Sequence, residues 1–233
     1  MMKKIIPLVL VSFSCFYSSA LRGQVNKNEI GAWYMYFWNT QIKQGPWGFQ
    51  GDVQHRNWNT IGDLEQLLLR GGFTYTPKKA NIKFTLGYGN IQTGTLGLSK
   101  EKNTEHRIYQ EALFPQKIGA RFYLNHRLRY EQRFIENQDL RTRYRYNMFV
   151  NVPLNNKEIT DNTFYLALYN ELFINGQRKI STNKTVALFD RNRIYMAFGY
   201  AIKKQMKVQL GMMRQTTDVL GKNQTQLSFH HTF

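Results

Sequence analysis

Cysteine is almost missing from this 233-residue chain: its one copy, Cys15, lies within the first twenty positions. Everything after it is without a possible disulfide, so stability must come from a large core or a closed sheet. Acidic residues are scarce as well, 15 against 32 lysines and arginines. After the first twenty residues no apolar run approaches the roughly 18–20 residues that a membrane-spanning helix needs. No Pro-, Gly- or Ser-rich stretch divides the chain. H-E-x-x-H, cysteine-based metal spacing and a Gly-rich phosphate loop are all lacking, so no catalytic centre, metal site or cofactor is expected.

The N-terminus reads as an address. Lys3 and Lys4 precede an apolar run, Ile5 to Tyr17, and Ser18-Ser19-Ala20 offers the small residues a signal peptidase reads. A cleaved signal over 1–20 is expected, followed by one domain over 21–233. Ser12-Phe13-Ser14 before Cys15 is a poor lipobox, so a lipoprotein is not expected. Without Lys3 and Lys4, 30 basic residues still exceed the 15 acidic ones by 15. In a cytosolic protein that excess would suggest nucleic acid; export argues against such a partner.

What the chain does have is alternation. Aromatics make up 15% of it, yet they are interleaved with polar residues rather than clustered. Trp33, Tyr34, Tyr36 and Trp38 lie in one segment; Gln50, Asp52, Gln54 and Arg56 share a face of the next. Leu67, Leu69, Phe73 and Tyr75 oppose Gln66, Arg70 and Thr74, and a turn at Pro77-Lys78-Lys79 leads to Phe84, Leu86 and Tyr88. A polar loop over 89–103 and a short strand over 105–114 come next. The clearest segment is Ile118 to Phe134, where Leu124, Leu128 and Tyr130 alternate with Asn125, Arg127, Arg129, Glu131 and Arg133. Its partner, Leu140 to Val152, sets Tyr144, Tyr146 and Met148 against Arg141, Arg143 and Arg145. Segments over 164–174, 191–202, 206–214 and 224–233 complete the series, with no convincing helix.

Apolar residues in one phase and charged ones in the other, in segments of about ten, are the signature of a transmembrane barrel. The expectation is an all-β, antiparallel up-and-down transmembrane β-barrel with a polar, charged lumen, located in the outer membrane. Eleven segments are countable. Because bacterial single-chain barrels have even strand numbers, ten or twelve strands are expected, with the miscount placed in the N-terminal third or over 175–190. The final strand carries Leu227, Phe229, His231 and Phe233 in one phase. That ending is similar to the C-terminal strand of Gram-negative outer-membrane barrels, which implies that Phe229 and Phe233 form a signal for the barrel-assembly machinery.

The segments "RLRYEQRF" (Arg127 to Phe134), "RTRYRYN" (Arg141 to Asn147), "YNELFING" (Tyr169 to Gly176) and "FDRNRIYMAFGY" (Phe189 to Tyr200) resemble an uncharacterised outer-membrane barrel family, domain of unknown function 2490. "LLLRGGFTY" and "FTLGYGN" fit it more loosely. The resemblance implies a small outer-membrane barrel and brings no activity with it.

The inward phase assigns Arg129, Glu131, Arg133, Arg141, Arg143, Arg145, Glu171 and Arg193 to a lumenal charge network, with Asp190 where its strand begins. One reading is structural: guanidinium forks paired with carboxylates plug a narrow barrel. A second is a small pore for anionic solutes or acidic sugars, since rings of Arg favour anions. A third, an outer-membrane enzyme, lacks a nucleophile motif around any of His55, His106, His126, His230 and His231. The expected partners are outer-membrane lipid and the assembly machinery, with small anionic solutes under the second reading; the chain is expected to be a monomer.

Overall fold

The computed structural model describes residues 30–97 and 101–233; the expected signal segment lies outside them. The strands are β1 (Gly31–Gln41), β2 (Trp47–Asn57), β3 (Leu64–Tyr75), β4 (Lys83–Gly94), β5 (Lys102–Ile118), β6 (Phe122–Ile135), β7 (Arg141–Pro153), β8 (Thr163–Asn175), β9 (Lys179–Ser181), β10 (Lys184–Thr185), β11 (Phe189–Lys203), β12 (Met206–Thr216) and β13 (Gly221–Thr232). Eleven of them close into one barrel, and β9 and β10 form a separate small hairpin.

Closure departs from the expected even count. Ten neighbouring pairs are antiparallel, but β1 and β13 run parallel, with Gly31 beside Gln224 and Asn39 beside Thr232. An odd number of alternating strands brings the first and last into the same direction, so a parallel seam is the geometrical consequence of eleven. The barrel is therefore mixed rather than wholly antiparallel. It also gives each rim an identity. The start rim carries the beginnings of β1 and β13, and the end rim carries their ends.

Two boundaries differ from the sequence pattern. β5 runs 17 residues and is the longest strand, not the short segment expected over 105–114. Gly119, in the left-handed region at φ 57°, makes the turn that separates β5 from β6. The alternation over 118–134 thus crosses a hairpin: Ile118 ends one strand, Phe122 starts the next, and they pair. Arg121 sits in that turn and donates to the carbonyls of Pro153 and Leu154. The polar loop begins later than expected, because β4 continues through Gly94.

The alternation itself holds around the barrel. Outward positions leave large apolar side chains exposed on every side, among them Leu69, Leu86, Leu128, Phe164, Phe198 and Leu210. Inward positions bury Asp52, Glu111, Arg129, Glu131, Arg143 and Glu171. Eight-stranded barrels have interiors that side chains fill, and sixteen-stranded ones leave an aqueous channel. Eleven strands lie between, and long arginine side chains suit that width.

Glycines placed opposite tyrosines let large rings fold along the wall. Gly87 pairs with Tyr109 and Gly199 with Tyr165. A β-carbon at either glycine would collide with the partner ring, an arrangement in which the aromatic covers a strand position that lacks its own side chain.

Candidate functional site

Strands β5 to β8 and β11 build the charge network. Glu131 lies opposite Arg143 in the β6–β7 register, and Arg143 Nε and Nη2 donate to Glu131 Oε2 at 2.9 and 2.6 Å. Arg145 Nη1 donates to the other oxygen at 2.6 Å, and Arg145 Nε reaches Glu171 at 2.9 Å. Arg127 Nη2 shares that carboxylate at 2.6 Å, and Arg193 approaches it at 3.8 Å. Glu111 accepts from Arg129 Nε at 2.7 Å. Toward the start rim, Glu105 is held by Arg107 and Arg133, each with its closest N–O distance at 2.5 Å.

Asp190 enters through a bulge. Phe189 pairs with Ile174 and Arg191 with Phe173, leaving Asp190 as the extra residue. A bulge re-aims a side chain that alternation would send the other way. Asp190 Oδ2 accepts from Arg143 Nη1 and from Arg191 Nε, both at 3.0 Å.

In this network arginines face arginines across strands: Arg129 opposite Arg145, and Arg133 opposite Arg141 and Arg107. Like charges set directly opposite are destabilising, so the shared carboxylates are what make the arrangement tenable. Five carboxylates (Glu105, Glu111, Glu131, Glu171, Asp190) serve eight arginines, an excess of three positive charges. Aromatic faces take up part of this excess. The Phe173 ring, 1% exposed, has the guanidinium carbons of Arg145, Arg193, Arg143 and Arg191 at 4.4, 4.7, 5.2 and 5.9 Å from its centroid. Arg129 lies 4.3 Å from the centroid of Tyr109, and Arg56 lies 3.7 Å from that of Trp33. A guanidinium within about 6 Å of such a face is attracted by the ring quadrupole.

Eight of the nine residues assigned to the network from the sequence thus make ion pairs in one connected group or beside it. Arg141 is the exception: it donates to Gln138 at 3.3 Å, half-buried near the start rim, with no ion pair within 4 Å among the described residues. The assignment from the sequence leaves out Glu105, Arg107, Glu111, Arg127, Arg191 and Phe173. Part of the signal was present, because Glu105, Arg107, Tyr109 and Glu111 keep strict two-residue spacing, and Phe173 follows Glu171 in phase.

Below the network, toward the end rim, lies a cavity of about 430 Å³. Arg127, Arg129, Arg145 and Arg193 border it, whereas Glu131, Arg133 and Arg143 do not. Trp33, Tyr165, Tyr169 and Tyr195 form an aromatic wall in which Tyr169 and Tyr195 stack at 4.7 Å. Ser228 and His230 also line it, with Ser228 Oγ 3.0 Å from His230 Nε2. No hydrogen bond orients the other ring nitrogen of His230 among the described residues. No cluster of three or more metal-type ligands occurs among them either.

Three further histidines turn outward with tyrosine partners. His106 Nδ1 lies 2.5 Å from the Tyr88 hydroxyl, His126 Nδ1 2.8 Å from that of Tyr146, and His231 Nδ1 3.3 Å from that of Tyr36. Phe229 stacks on Tyr36 at 5.7 Å. Phe233 is exposed, and its amide donates to Asn39 O at 2.9 Å.

A closed, odd-stranded β-barrel with a paired charge lattice inside and an apolar surface outside is the class this architecture defines. The chain belongs to the family described as protein of unknown function (DUF2490), which it matches over residues 30–226. No curated protein and no solved structure matches it.

Proposed function

We propose that this chain is an outer-membrane β-barrel whose lumen is held shut by its Arg–carboxylate lattice, and that the lattice is a structural element. The observation that carries the location is the outward face. Phe198, Met196, Leu86 and Leu210 are 71%, 63%, 60% and 57% exposed and belong to a surface that is apolar all the way round. A monomer in water rarely exposes contiguous apolar patches beyond a few hundred Å². Hydrocarbon accepts such a face, provided the sheet is closed and every backbone group is paired.

Burial supports the shut lumen. Glu131 is 1% exposed and Arg143 3%, so these groups meet protein rather than a water column. The barrel is read as non-catalytic. Among the described residues no third group holds the His230 imidazole, the arrangement that usually marks an activated nucleophile. Lipid is the proposed surrounding partner, and the exposed terminal Phe233 with outward Phe229 suits recognition by the assembly machinery. One chain closes its own sheet, which supports a monomer. The lattice arginines point inward, away from any nucleic acid, and an exported chain does not meet cytosolic nucleic acid.

Conduction of anions or acidic sugars is the competing reading, and the three unmatched positive charges favour it. It requires the lattice to part. Refolded protein in planar bilayers separates the two: a silent membrane is expected, and steady anion-selective steps would overturn the shut lumen. For the location, a heat-modifiable band in outer-membrane fractions is expected; recovery from the periplasm or cytosol would overturn it.

A further inference from the structure

On the shut-lumen reading the cavity toward the end rim is a chamber, and its lining mixes aromatic, cationic and carboxamide groups. Trp33, Tyr195, Tyr165 and Tyr169 come from β1, β11 and β8, with Gln209 and Gln226 among them; Lys83, Arg127, Gln50 and Asn125 come from β4, β6 and β2 across the barrel. Lys83 opens β4 and Lys207 lies one residue into β12. Counting around the barrel, these strands are five and six places apart, so the two ammonium groups come from opposing walls near the mouth. Neither lysine has an ion pair within 4 Å among the described residues, whereas the carboxylates bordering the chamber, Asp52, Glu111 and Glu171, are each already held by arginine. The chamber therefore presents positive charge that nothing inside it neutralises.

The second observation is the density of carboxamides. Gln50, Asn125, Asn147, Asn151, Gln209 and Gln226 all line the same space. Asn147 is 2% exposed, and its Oδ1 has no hydrogen-bond partner. A buried acceptor without a protein partner is costly, and one bordering a cavity can accept from a ligand donor or from water. Carboxamides both donate and accept, as hydroxyls do. Gln50, Gln209 and Gln226 are already bonded, to Thr85 and Glu111, to Tyr165 and to Tyr169; an acyl chain would leave Asn125, Asn147 and Asn151 unanswered.

We infer that this chamber is a binding site for a small acidic saccharide, one or two sugar rings bearing a carboxylate. The ring's apolar face would lie on the aromatic wall, its hydroxyls would meet the carboxamides, and its carboxylate would lie between Lys83 and Lys207. A volume of about 430 Å³ falls within the roughly 300–1,000 Å³ range of ligand pockets. The inference rests on the shut-lumen reading only for the chamber's blind end.

The test uses the full chain refolded in a zwitterionic detergent, with galacturonate and its dimer as probes, galactose as the neutral control and laurate as the lipid-like one. Calorimetry, together with intrinsic tryptophan fluorescence (Trp33 and Trp38 both line the chamber), reads binding. Saturable uronate binding is expected, with galactose at least about tenfold weaker, the size of one lost charge-assisted contact. Lys83→Gln with Lys207→Gln should weaken uronate by a similar factor while leaving heat modifiability unchanged. Absence of uronate binding to folded protein, insensitivity to the double substitution, or saturable binding of laurate alone would each overturn the site. Bilayer recordings keep the two ideas apart. Uronate binding with steady conductance sinks the shut lumen and spares the site; a silent bilayer without uronate binding does the reverse.

Discussion

The ring of Tyr109 occupies the space beside Gly87 that any β-carbon at position 87 would need. The same fit recurs between Tyr165 and Gly199. Both glycines are fixed by a neighbour's bulk rather than by a turn. Gly87→Ala is expected to lower stability by about 1–3 kcal/mol, the cost of overpacking. Adding Tyr109→Leu should restore part of the loss. Denaturant midpoints of the folded barrel, scored by gel mobility, measure both; an unaffected single variant would refute the fit.

Removing a shared carboxylate should cost more than removing a surface one. Glu131 serves Arg143 and Arg145 within 2.6 Å each, whereas Glu158 meets Lys117 at 3.4 Å with its side chain 66% exposed. Stranding buried arginines costs about 3–5 kcal/mol; an exposed pair contributes about 0–1 kcal/mol. Glu131→Gln should therefore shift the unfolding midpoint well beyond Glu158→Gln, and equal shifts would show that Glu131 does not hold the lattice.

Glu131 and Glu171 are joined through Arg145, which donates to both. Their losses should not add. A double-mutant cycle of Glu131→Gln and Glu171→Gln is expected to show a coupling of about 0.5–3 kcal/mol, as for residues in one network. Additivity within a few tenths would mean two independent pairs.

Phe173 is the apolar centre of four guanidiniums. Phe173→Leu keeps a buried hydrocarbon and removes the ring face, so its cost beyond lost volume reports the cation–π share, about 0.5–2 kcal/mol or more per desolvated contact. A Phe173→Leu barrel as stable as the parent would assign Phe173 a filling role only.

Much of the barrel was legible because a two-residue period states directly which side chains share a face. That is why Arg129, Glu131, Arg143, Arg145 and Glu171 were found together. Period alone is blind to a turn made in phase: Gly119 interrupts the 118–134 alternation without breaking it. It is blind to a bulge too, so Asp190 was placed by position rather than by direction. Eleven segments are countable in the sequence, and the even-number rule for bacterial barrels points away from that count; the parallel β1–β13 register shows that the odd number stands.

That parallel seam has a practical consequence for labelling. Gly31 and Thr232 stand at opposite rims, so under the proposed outer-membrane location an epitope placed just before β1 and one appended after β13 would report on opposite faces of the membrane. In intact cells only one of the two should be reachable by antibody, which fixes the direction of insertion without any further structure. The same separation bars circular permutation by a short linker, because joining the ends means running the full height of the wall.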